Sequence, residues 1–316
     1  MGRGLPPPAQ GRHKGPGRGM AGPTSRSHGV APALGGRGAE SKGGPGTAPA
    51  RPQPGRHAES GGEDLIVGAH VVQIVLQRQP RRVRAIYCWS RDARLVAAMR
   101  ALWAQATSGS THGTATWHDE PPAALAANHL AQGVALQVRP YPYCDLDDLR
   151  RRSAARDPAA GPALLLALDG ITDTHNLGAI LRSAAWFGVD GVVLPADRAA
   201  HVTPAAERIA RGGASLVSVA IVTNLARSLT TLADDGWLVV GTALEGAAGD
   251  LWRLRRDQPI VLVLGAEDTG IRPLVRRACQ QVVRLDGDAS VQSLNVSAFA
   301  AVALAALQRA LVRPSQ

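Results

Sequence analysis

Short apolar runs recur at regular intervals in the second half of the chain, separated by more polar segments. Runs of this length predict buried strands, at residues 163–169, 191–195, 237–244, 259–265 and 281–285. Apolar positions take helical spacing between them, at residues 176–188 and 226–236. Because nearly continuous apolar strands alternate with helices, the pattern predicts an α/β fold whose parallel sheet is covered on both faces.

A smaller α/β module precedes this sheet. Residues 65–77 take helical spacing toward their end, and residues 93–106 predict an amphipathic helix. Strands are predicted at residues 83–89 and 133–140. Residues 141–162 are charged and end in Gly and Pro, a composition that predicts a helix and a linker.

Composition divides the chain into four parts. Residues 1–62 are rich in Gly, Pro, Ala and Arg, with too few large apolar residues to form a core, so we predict a disordered tail. We place a small domain at 63–140, a linker at 141–161 and a larger domain at 162–316.

The positive charge is concentrated in the tail. Residues 1–62 hold nine basic and two acidic residues, a net charge of +7, whereas the remainder holds 26 basic and 23 acidic residues, a net charge of +3. A basic and flexible arm suits electrostatic contact with RNA. The alternative is an extension that only increases solubility.

The remaining composition excludes several classes of protein. No run of 18 apolar residues predicts a membrane span and no signal peptide is recognisable, so we expect a soluble cytoplasmic protein. Cys88, Cys144 and Cys279 lie far apart, without the spacing of a zinc site, and we expect structural thiols and no metal.

Glycine and polar residues follow three of the predicted strands. The segments are DGITDTHNLGAILR at 169–182, LGAEDTGI at 264–271 and RLDGDASVQSLNVSAF at 284–299. Because the carboxyl ends of parallel strands meet at one edge, where ligands bind, these segments predict a site. Taken singly, Asn176 and Asn295 could each be a helix N-cap.

Common nucleotide and hydrolase motifs do not explain these segments. The GPGRG stretch at 15–19 has no strand before it and no helix after it, and the sequence holds no GxxxxGK[ST] loop. No GxSxG elbow is present either. The usual phosphate-binding loops and serine nucleophiles are therefore excluded.

The three segments together resemble a known family. NLGAILR, LGAEDTG and SLNVSAFAAV are similar to the ordered motifs of the SPOUT superfamily of RNA methyltransferases, in the TrmH-like branch that methylates ribose 2′-hydroxyls. LDGITDTHNLGAILRSAAWFGVDGVVLP most resembles the 23S ribosomal RNA guanosine 2′-O-methyltransferase group. The resemblance extends over residues 64–316.

The resemblance implies a fold and a cofactor. The expected fold is a C-terminal parallel-sheet domain tied in a trefoil knot, preceded by a small α/β substrate-binding domain similar to ribosomal protein L30e. S-adenosylmethionine would bind at the knot, largely through backbone groups, at Thr242, Gly265, Leu285 and Leu294. Members are homodimers whose active sites are completed across the interface.

The resemblance also implies catalytic roles. Arg182 matches the motif arginine that lies beside the ribose hydroxyl. A guanidinium is not deprotonated in proteins, so stabilisation of the developing negative charge is favoured over base catalysis. Asn176, Glu267, Asn295 and Ser297 match the other polar positions, which would orient the ribose, the arginine and the loops. The alternative for Glu267 is a purely structural role.

Two segments depart from the family pattern. Leu130 and Ala131 separate His129 from Gln132, where relatives have His-Gln-Gly, and this affects the expected RNA target. The segment RLDGDAS at 284–290 brings Asp286 and Asp288 to a position where relatives are apolar. These carboxylates would either alter cofactor affinity or turn outward.

Three hypotheses for function follow. The first is 2′-O-methylation of RNA, most directly 23S ribosomal RNA, with transfer RNA as the alternative substrate. The second is a non-catalytic RNA-binding or ribosome assembly factor with the same fold. The third is an unrelated nucleotide-binding metabolic enzyme, which predicts turnover that does not depend on RNA and is ranked last.

Overall fold

The structure is a computed structural model that describes residues 64–107, 115–125, 132–243, 249–288, 290 and 292–311. The tail predicted at 1–62 and the departure at His129–Ala131 lie outside these residues. Their interpretation therefore stays a prediction.

A mixed four-stranded sheet forms the small domain. Its strands are β1 (Asp64–Val67), β2 (Val83–Cys88), β3 (Thr116–His118) and β4 (Val134–Val138), in the order β1-β4-β2-β3. Only β2 and β3 run parallel, and β4 is antiparallel to both of its neighbours. Two helices, α1 (Ala69–Arg78) and α2 (Ala93–Thr107), pack their apolar residues against the sheet.

The start of this domain differs from the helical pattern predicted for 65–77. The structure divides the stretch at Gly68, with strand β1 before it and helix α1 after it. Gly68 has φ of 99°, a conformation that a residue with a side chain rarely adopts. The chain therefore turns sharply at Gly68, and the apolar run on each side belongs to a different element.

The segment predicted as a linker folds against the larger domain. It contains the predicted charged helix, α3 (Leu146–Ala154), in which Leu149 is fully buried. The Cys144 backbone N–H donates to the Val219 carbonyl at 3.0 Å, which adds this segment to the larger sheet. The division into domains itself stays a prediction.

Parallel strands form the larger sheet, in the order β7-β6-β5-β10-β8-β11-β9. The strands are β5 (Leu164–Asp169), β6 (Gly191–Pro195), β7 (Ser218–Val222), β8 (Leu238–Thr242), β9 (Gly249–Asp250), β10 (Ile260–Gly265) and β11 (Gln281–Arg284). All five strands predicted from the apolar runs are confirmed, and β7 and β9 are additional. The confirmed fold class is α/β, whereas the trefoil knot stays a prediction.

Helices cover both faces of this sheet. They are α4 (Thr174–Trp186), α5 (Pro204–Ala210), α6 (Leu225–Asp234), α7 (Pro273–Arg277) and α8 (Val296–Arg309). Helices α4 and α8 share one apolar core with alternate residues of the strands, and α6 and α7 share a second core on the opposite face. Alternate residues of β5 enter the two cores, which explains its uninterrupted apolar sequence.

Candidate active site

Three segments distant in sequence meet at the carboxyl edge of the larger sheet. Glu267 follows β10, Asn176 lies in the first turn of α4, and Asn295 immediately precedes α8. The Nδ2 groups of Asn176 and Asn295 each donate to Glu267 Oε1 at 2.9 Å. Asn295 Nδ2 also donates to Asn176 Oδ1 at 3.0 Å. We call these three residues the polar triad.

The triad is held in place by the start of α8. Asn295 is the N-cap of this helix, and its Oδ1 accepts hydrogen bonds from the Ser297 backbone N–H at 2.9 Å and the Ser297 hydroxyl at 2.6 Å. The Val296 backbone N–H donates to Glu267 Oε1 at 3.2 Å. Asn295 therefore caps α8 with its oxygen and joins the other segments with its nitrogen.

Asn176 is not the N-cap of α4. Helix α4 begins at Thr174, and its N-cap is Asp173, whose carboxylate accepts from the His175 backbone N–H at 2.8 Å. The amide of Asn176 is consequently not used in capping, and it bonds to Glu267 and Asn295 instead.

Arg182 lies farther along α4 than the triad. Six residues of helix place its Cα about 9 Å along the axis from Asn176. Its side chain is exposed and has no hydrogen bond or ion pair within the described ranges. Trp186, one turn later, is 84% exposed. Residues four apart share a helix face, so the Arg182 and Trp186 side chains are exposed on the same face of α4.

The four residues predicted to contact the cofactor lie at the ends of neighbouring strands or beside the triad. Thr242 ends β8, Gly265 ends β10, Leu285 follows β11, and Leu294 precedes Asn295. Since β10, β8 and β11 are adjacent and parallel, the first three stand at one edge. The contact of these four residues with a cofactor stays a prediction.

Glycine is required at position 265 by a close approach of the backbone. A Cβ there would lie 2.2 Å from the Gly270 carbonyl carbon, which no rearrangement of a flexible side chain would relieve. The Ala266 and Gly270 backbones exchange hydrogen bonds at 3.2 and 2.9 Å, closing the loop into a tight turn. Thr242 is buried, and its hydroxyl donates to the Val263 carbonyl at 3.0 Å.

The two acidic residues of the departing segment turn outward. Asp286 is exposed and pairs with Arg284 at 2.8 Å. Asp288 accepts from the Ser290 hydroxyl at 2.5 Å and from its backbone N–H at 2.8 Å, and these hydrogen bonds lower the pKa of Asp288. Both carboxylates are therefore engaged with near neighbours. Leu285 instead packs against the core, and Leu294 is 46% exposed.

An ion pair between a buried carboxylate and a partly exposed arginine supports this edge, and the sequence pattern did not predict it. Asp169, at the end of β5, is fully buried and lies in register with Gly265. Its carboxylate accepts from the Arg272 backbone N–H at 2.7 Å and from Arg272 Nε at 2.6 Å. An acidic residue closing an otherwise apolar strand is the signal that could have identified it.

The cysteines lie outside the candidate active site, and two of them are partly buried thiols with raised pKa values. Burial raises the pKa of Cys144 and of Cys279 to about 11. Across the described ranges, no helix has the length and apolarity needed to cross a membrane, and no group of three or more His, Cys, Asp or Glu side chains could hold a metal ion.

Comparison with known proteins identifies relatives of the chain. The model of the SpoU rRNA Methylase family matches residues 163–305. An uncharacterized tRNA/rRNA methyltransferase of Mycobacterium avium is 46% identical over 187 residues, which is 58% of this chain and 58% of that protein. The chain thus matches well under two thirds of the length of this mycobacterial relative.

A second relative is matched over nearly its whole length. The 23S rRNA (guanosine-2′-O-)-methyltransferase RlmB of Pseudomonas syringae is 39% identical over 244 residues, which is 76% of this chain and 93% of that protein. The SpoU methyltransferase AviRb of Streptomyces viridochromogenes has a similar fold, with a TM-score of 0.63 at 22% identity, over 79% of this chain and 90% of that chain. The chain therefore belongs to the SpoU rRNA methylase family.

Proposed function

We propose that this protein transfers a methyl group from S-adenosylmethionine to a ribose 2′-hydroxyl of RNA, most directly in 23S ribosomal RNA. The observation that carries the proposal is the polar triad, because its hydrogen bonds join all three motif segments at the carboxyl edge of the sheet. A protein that had kept only the fold for binding RNA would have no need of a carboxylate and two amides that join three loops by hydrogen bonds.

The residues at this edge fit S-adenosylmethionine by their chemistry. Gly265 permits the tight backbone turn at 265–270, and Leu285 and Leu294 would supply apolar surface for an adenine ring. The Thr242 hydroxyl is used internally, so Thr242 would contribute backbone groups. When bound, S-adenosylmethionine supplies an electrophilic methyl group on a positively charged sulfur.

Arg182 is the residue to which we assign stabilisation of the reacting oxygen. As the ribose 2′-oxygen attacks, it loses its proton to water and develops negative charge. A guanidinium with no other partner among the described residues would orient the hydroxyl and stabilise that charge. It would not accept the proton, because arginine remains protonated in proteins.

The polar triad would hold the loops in the geometry that the reaction needs. Glu267 Oε1 accepts three N–H groups, which fixes the carboxylate against α4 and the start of α8. Small displacements of positioned groups lower rates strongly, so rigid loops favour in-line attack. Ser297 contributes by fixing Asn295.

The relatives support ribosomal RNA as the substrate. RlmB of Pseudomonas syringae is named for 23S rRNA, whereas the mycobacterial relative is named for tRNA or rRNA, so transfer RNA is the second candidate. We also include in the proposal the small domain as the L30e-like module that binds the RNA, a knotted larger domain, and a homodimer.

Two measurements test the proposal. Titration calorimetry with S-adenosylmethionine should show binding, and its absence at high cofactor concentration would favour the non-catalytic alternative. Unmodified 23S rRNA and a transfer RNA pool are then incubated with tritium-labelled cofactor, digested to nucleosides and analysed by mass spectrometry. We expect one 2′-O-methylnucleoside from the ribosomal RNA. Label on a base, or turnover without RNA, would contradict the proposed reaction.

A further inference from the structure

A buried ion pair joins the small domain to the larger one. Arg82 stands just before β2 and is 5% exposed, and Glu207 lies on α5 and is 1% exposed. Arg82 Nη1 lies 2.5 Å from Glu207 Oε1, and Arg82 Nη2 donates to Oε2 at 2.9 Å. This is a two-point guanidinium–carboxylate contact, whose planar geometry fixes direction as well as distance. We call the pair the interdomain clamp.

Both sides of the clamp are supported by further contacts. Arg82 Nε donates to the Arg139 carbonyl at 2.7 Å, and its guanidinium lies 5.4 Å from the centre of the Tyr141 ring. The Tyr141 hydroxyl donates to the Ala214 carbonyl at 2.6 Å and lies 3.1 Å from that of Val217. Arg82 is therefore held by small-domain backbone and by an aromatic ring anchored in the larger domain.

Close packing around the clamp leaves little room for rotation between the domains. Gly212 has φ of 88°, and a Cβ there would lie 2.3 Å from Ile74 Cδ1 of helix α1. Burial raises the pKa of Glu207, while the Arg82 guanidinium acts in the opposite direction. A rotated small domain would leave one of these groups unpaired in an apolar interface, which is strongly unfavourable.

The clamp is connected to the candidate active site through α5. Its residues Ala206 and Ile209 flank Glu207 and lie against Gly178, where a Cβ would stand 2.8 Å from the Ala206 carbonyl oxygen and 2.7 Å from Ile209 Cβ. Gly178 belongs to α4, between Asn176 and Arg182. Short contacts thus run from the small domain to the helix that carries the assigned reactive arginine.

We propose that the interdomain clamp is a specificity-determining pair, which fixes the distance from the RNA-binding module to the site of methyl transfer. This inference rests on the proposed function. RNA is recognised largely by its shape. With a rigid spacing, the nucleotide that reaches Arg182 is set by its distance from the RNA element bound by the small domain.

The spacing is measured first, without reference to activity. Spin labels are placed on exposed Ala104 of α2 and Thr230 of α6, in full-length protein whose three cysteines are replaced by alanine. Because the protein is proposed to be a homodimer, doubly labelled protein is mixed with an excess of unlabelled protein, so that a labelled dimer carries labels on one protomer. We expect one narrow distance distribution by pulsed electron paramagnetic resonance, which broadens in Arg82→Ala and in Glu207→Gln. Exposed Arg81 is the matched control, and Arg81→Ala should leave the distribution narrow.

Selection of the RNA is measured second. Native protein and variants act on 23S rRNA transcript and on a short oligonucleotide that contains only the methylated nucleotide and its neighbours. We expect the preference for the long RNA, as a ratio of kcat/KM values, to fall about tenfold in Arg82→Ala and Glu207→Gln, because the effective concentration set by a rigid connection is lost. Turnover of the oligonucleotide and binding of S-adenosylmethionine should not change.

The outcomes separate the clamp from the proposed function. If Arg82→Ala unfolds, Glu207→Gln retains the side-chain volume and still decides the question. Unchanged distances in Glu207→Gln, or an unchanged preference for the long RNA, would overturn the inference. Native protein that methylates neither RNA would refute the proposed function, and the distance measurement would still report whether the clamp fixes the domains.

Discussion

Arg182 presents an exposed guanidinium on α4 with no partner among the described residues. If it stabilises the attacking oxygen, Arg182→Ala should lower methyl transfer by roughly 10³-fold, the scale typical for loss of a positioned charge-stabilising donor. Binding of S-adenosylmethionine should change less than about twofold, since the residues assigned to the cofactor lie elsewhere. Tritium transfer to 23S rRNA and calorimetry measure the two quantities.

A second arginine provides the control for this variant. Arg227 is exposed on α6, which covers the opposite face of the sheet. Arg227→Ala should retain native turnover. Retained turnover in Arg182→Ala, or an equal loss in both variants, would refute the assigned role.

The thiols give a prediction with a defined pH dependence. Burial raises the pKa of Cys144 and Cys279 to about 11, from an ordinary value of 9.0. At pH 8 their thiolate fraction should be about a hundredfold lower than that of an ordinary thiol, so alkylation by iodoacetamide should be slow. Mass spectrometry of each cysteine, in native and urea-unfolded protein, measures the rates.

The same shift predicts how stability responds to alkali. The unfolded chain releases these protons near pH 9, whereas the folded protein retains them until about pH 11. Between these pH values the folded state binds more protons than the unfolded state. The contribution of these two thiols to the free energy of unfolding is therefore fully present below pH 9 and is lost as the pH rises toward 11. Rapid alkylation of Cys279 in native protein at pH 8 would contradict this account.

At the scale of elements, the ion pair between Asp169 and Arg272 fastens the turn at 265–270 to the end of β5. Asp169→Asn keeps the side-chain volume but replaces one carboxylate oxygen by an amide N–H₂, which cannot accept a hydrogen bond from Arg272. We expect a loss of about 2 kcal/mol in unfolding free energy, below the range for fully buried pairs because Arg272 is partly exposed. Affinity for S-adenosylmethionine should fall about tenfold as the turn loosens.

Asp286 supplies the matched acidic control at the same edge. It is exposed and paired with Arg284, so Asp286→Asn should change stability by less than about 0.5 kcal/mol. Denaturant unfolding and calorimetry with S-adenosylmethionine compare the two variants. Equal cofactor affinity in native protein and Asp169→Asn would exclude a positioning role for the pair.

The spacing of apolar residues predicted the long strands and helices. It failed where an element boundary depends on backbone conformation or where an apolar run is short. The nearly continuous apolar runs of β5 and β10 were confirmed because a strand buried on both faces carries few polar residues. Strand β1 was merged with α1 because the turn depends on φ of 99° at Gly68. Strand β7 was missed because a five-residue apolar run fits a strand or a buried helix turn equally well.

The sequence predicted which residues form the candidate active site but not which hydrogen bonds they make. The pattern indicated that Asn176, Glu267 and Asn295 would share an edge, and the structure joins them. It could not show that Asp173 caps α4 in place of Asn176, since capping depends on a shift of a few residues in helix start. The interdomain clamp joins residues 125 positions apart, a separation at which sequence spacing carries no information.

At the scale of the whole molecule, charge is distributed unevenly, with +7 of the net +10 in residues 1–62. Deleting this segment should weaken binding to 23S rRNA by at least roughly tenfold in 50 mM salt, and the difference should shrink as salt rises. A variant with its nine basic residues replaced by glutamine keeps the length and should behave like the deletion. Equal affinities of all three proteins at low salt would support an inert extension.

If the protein is a homodimer with active sites shared between protomers, two inactive variants should restore activity when they are mixed. Arg182→Ala and Asn295→Ala should each be inactive, because one removes the charge-stabilising group and the other disconnects the triad. If Arg182 serves the partner's cofactor site, a heterodimer of the two variants has one site carrying both changes and one carrying neither. Random mixing should then restore about one quarter of native turnover. If Arg182 serves its own protomer, every site carries a change and the mixture stays inactive, which would contradict completion across the interface.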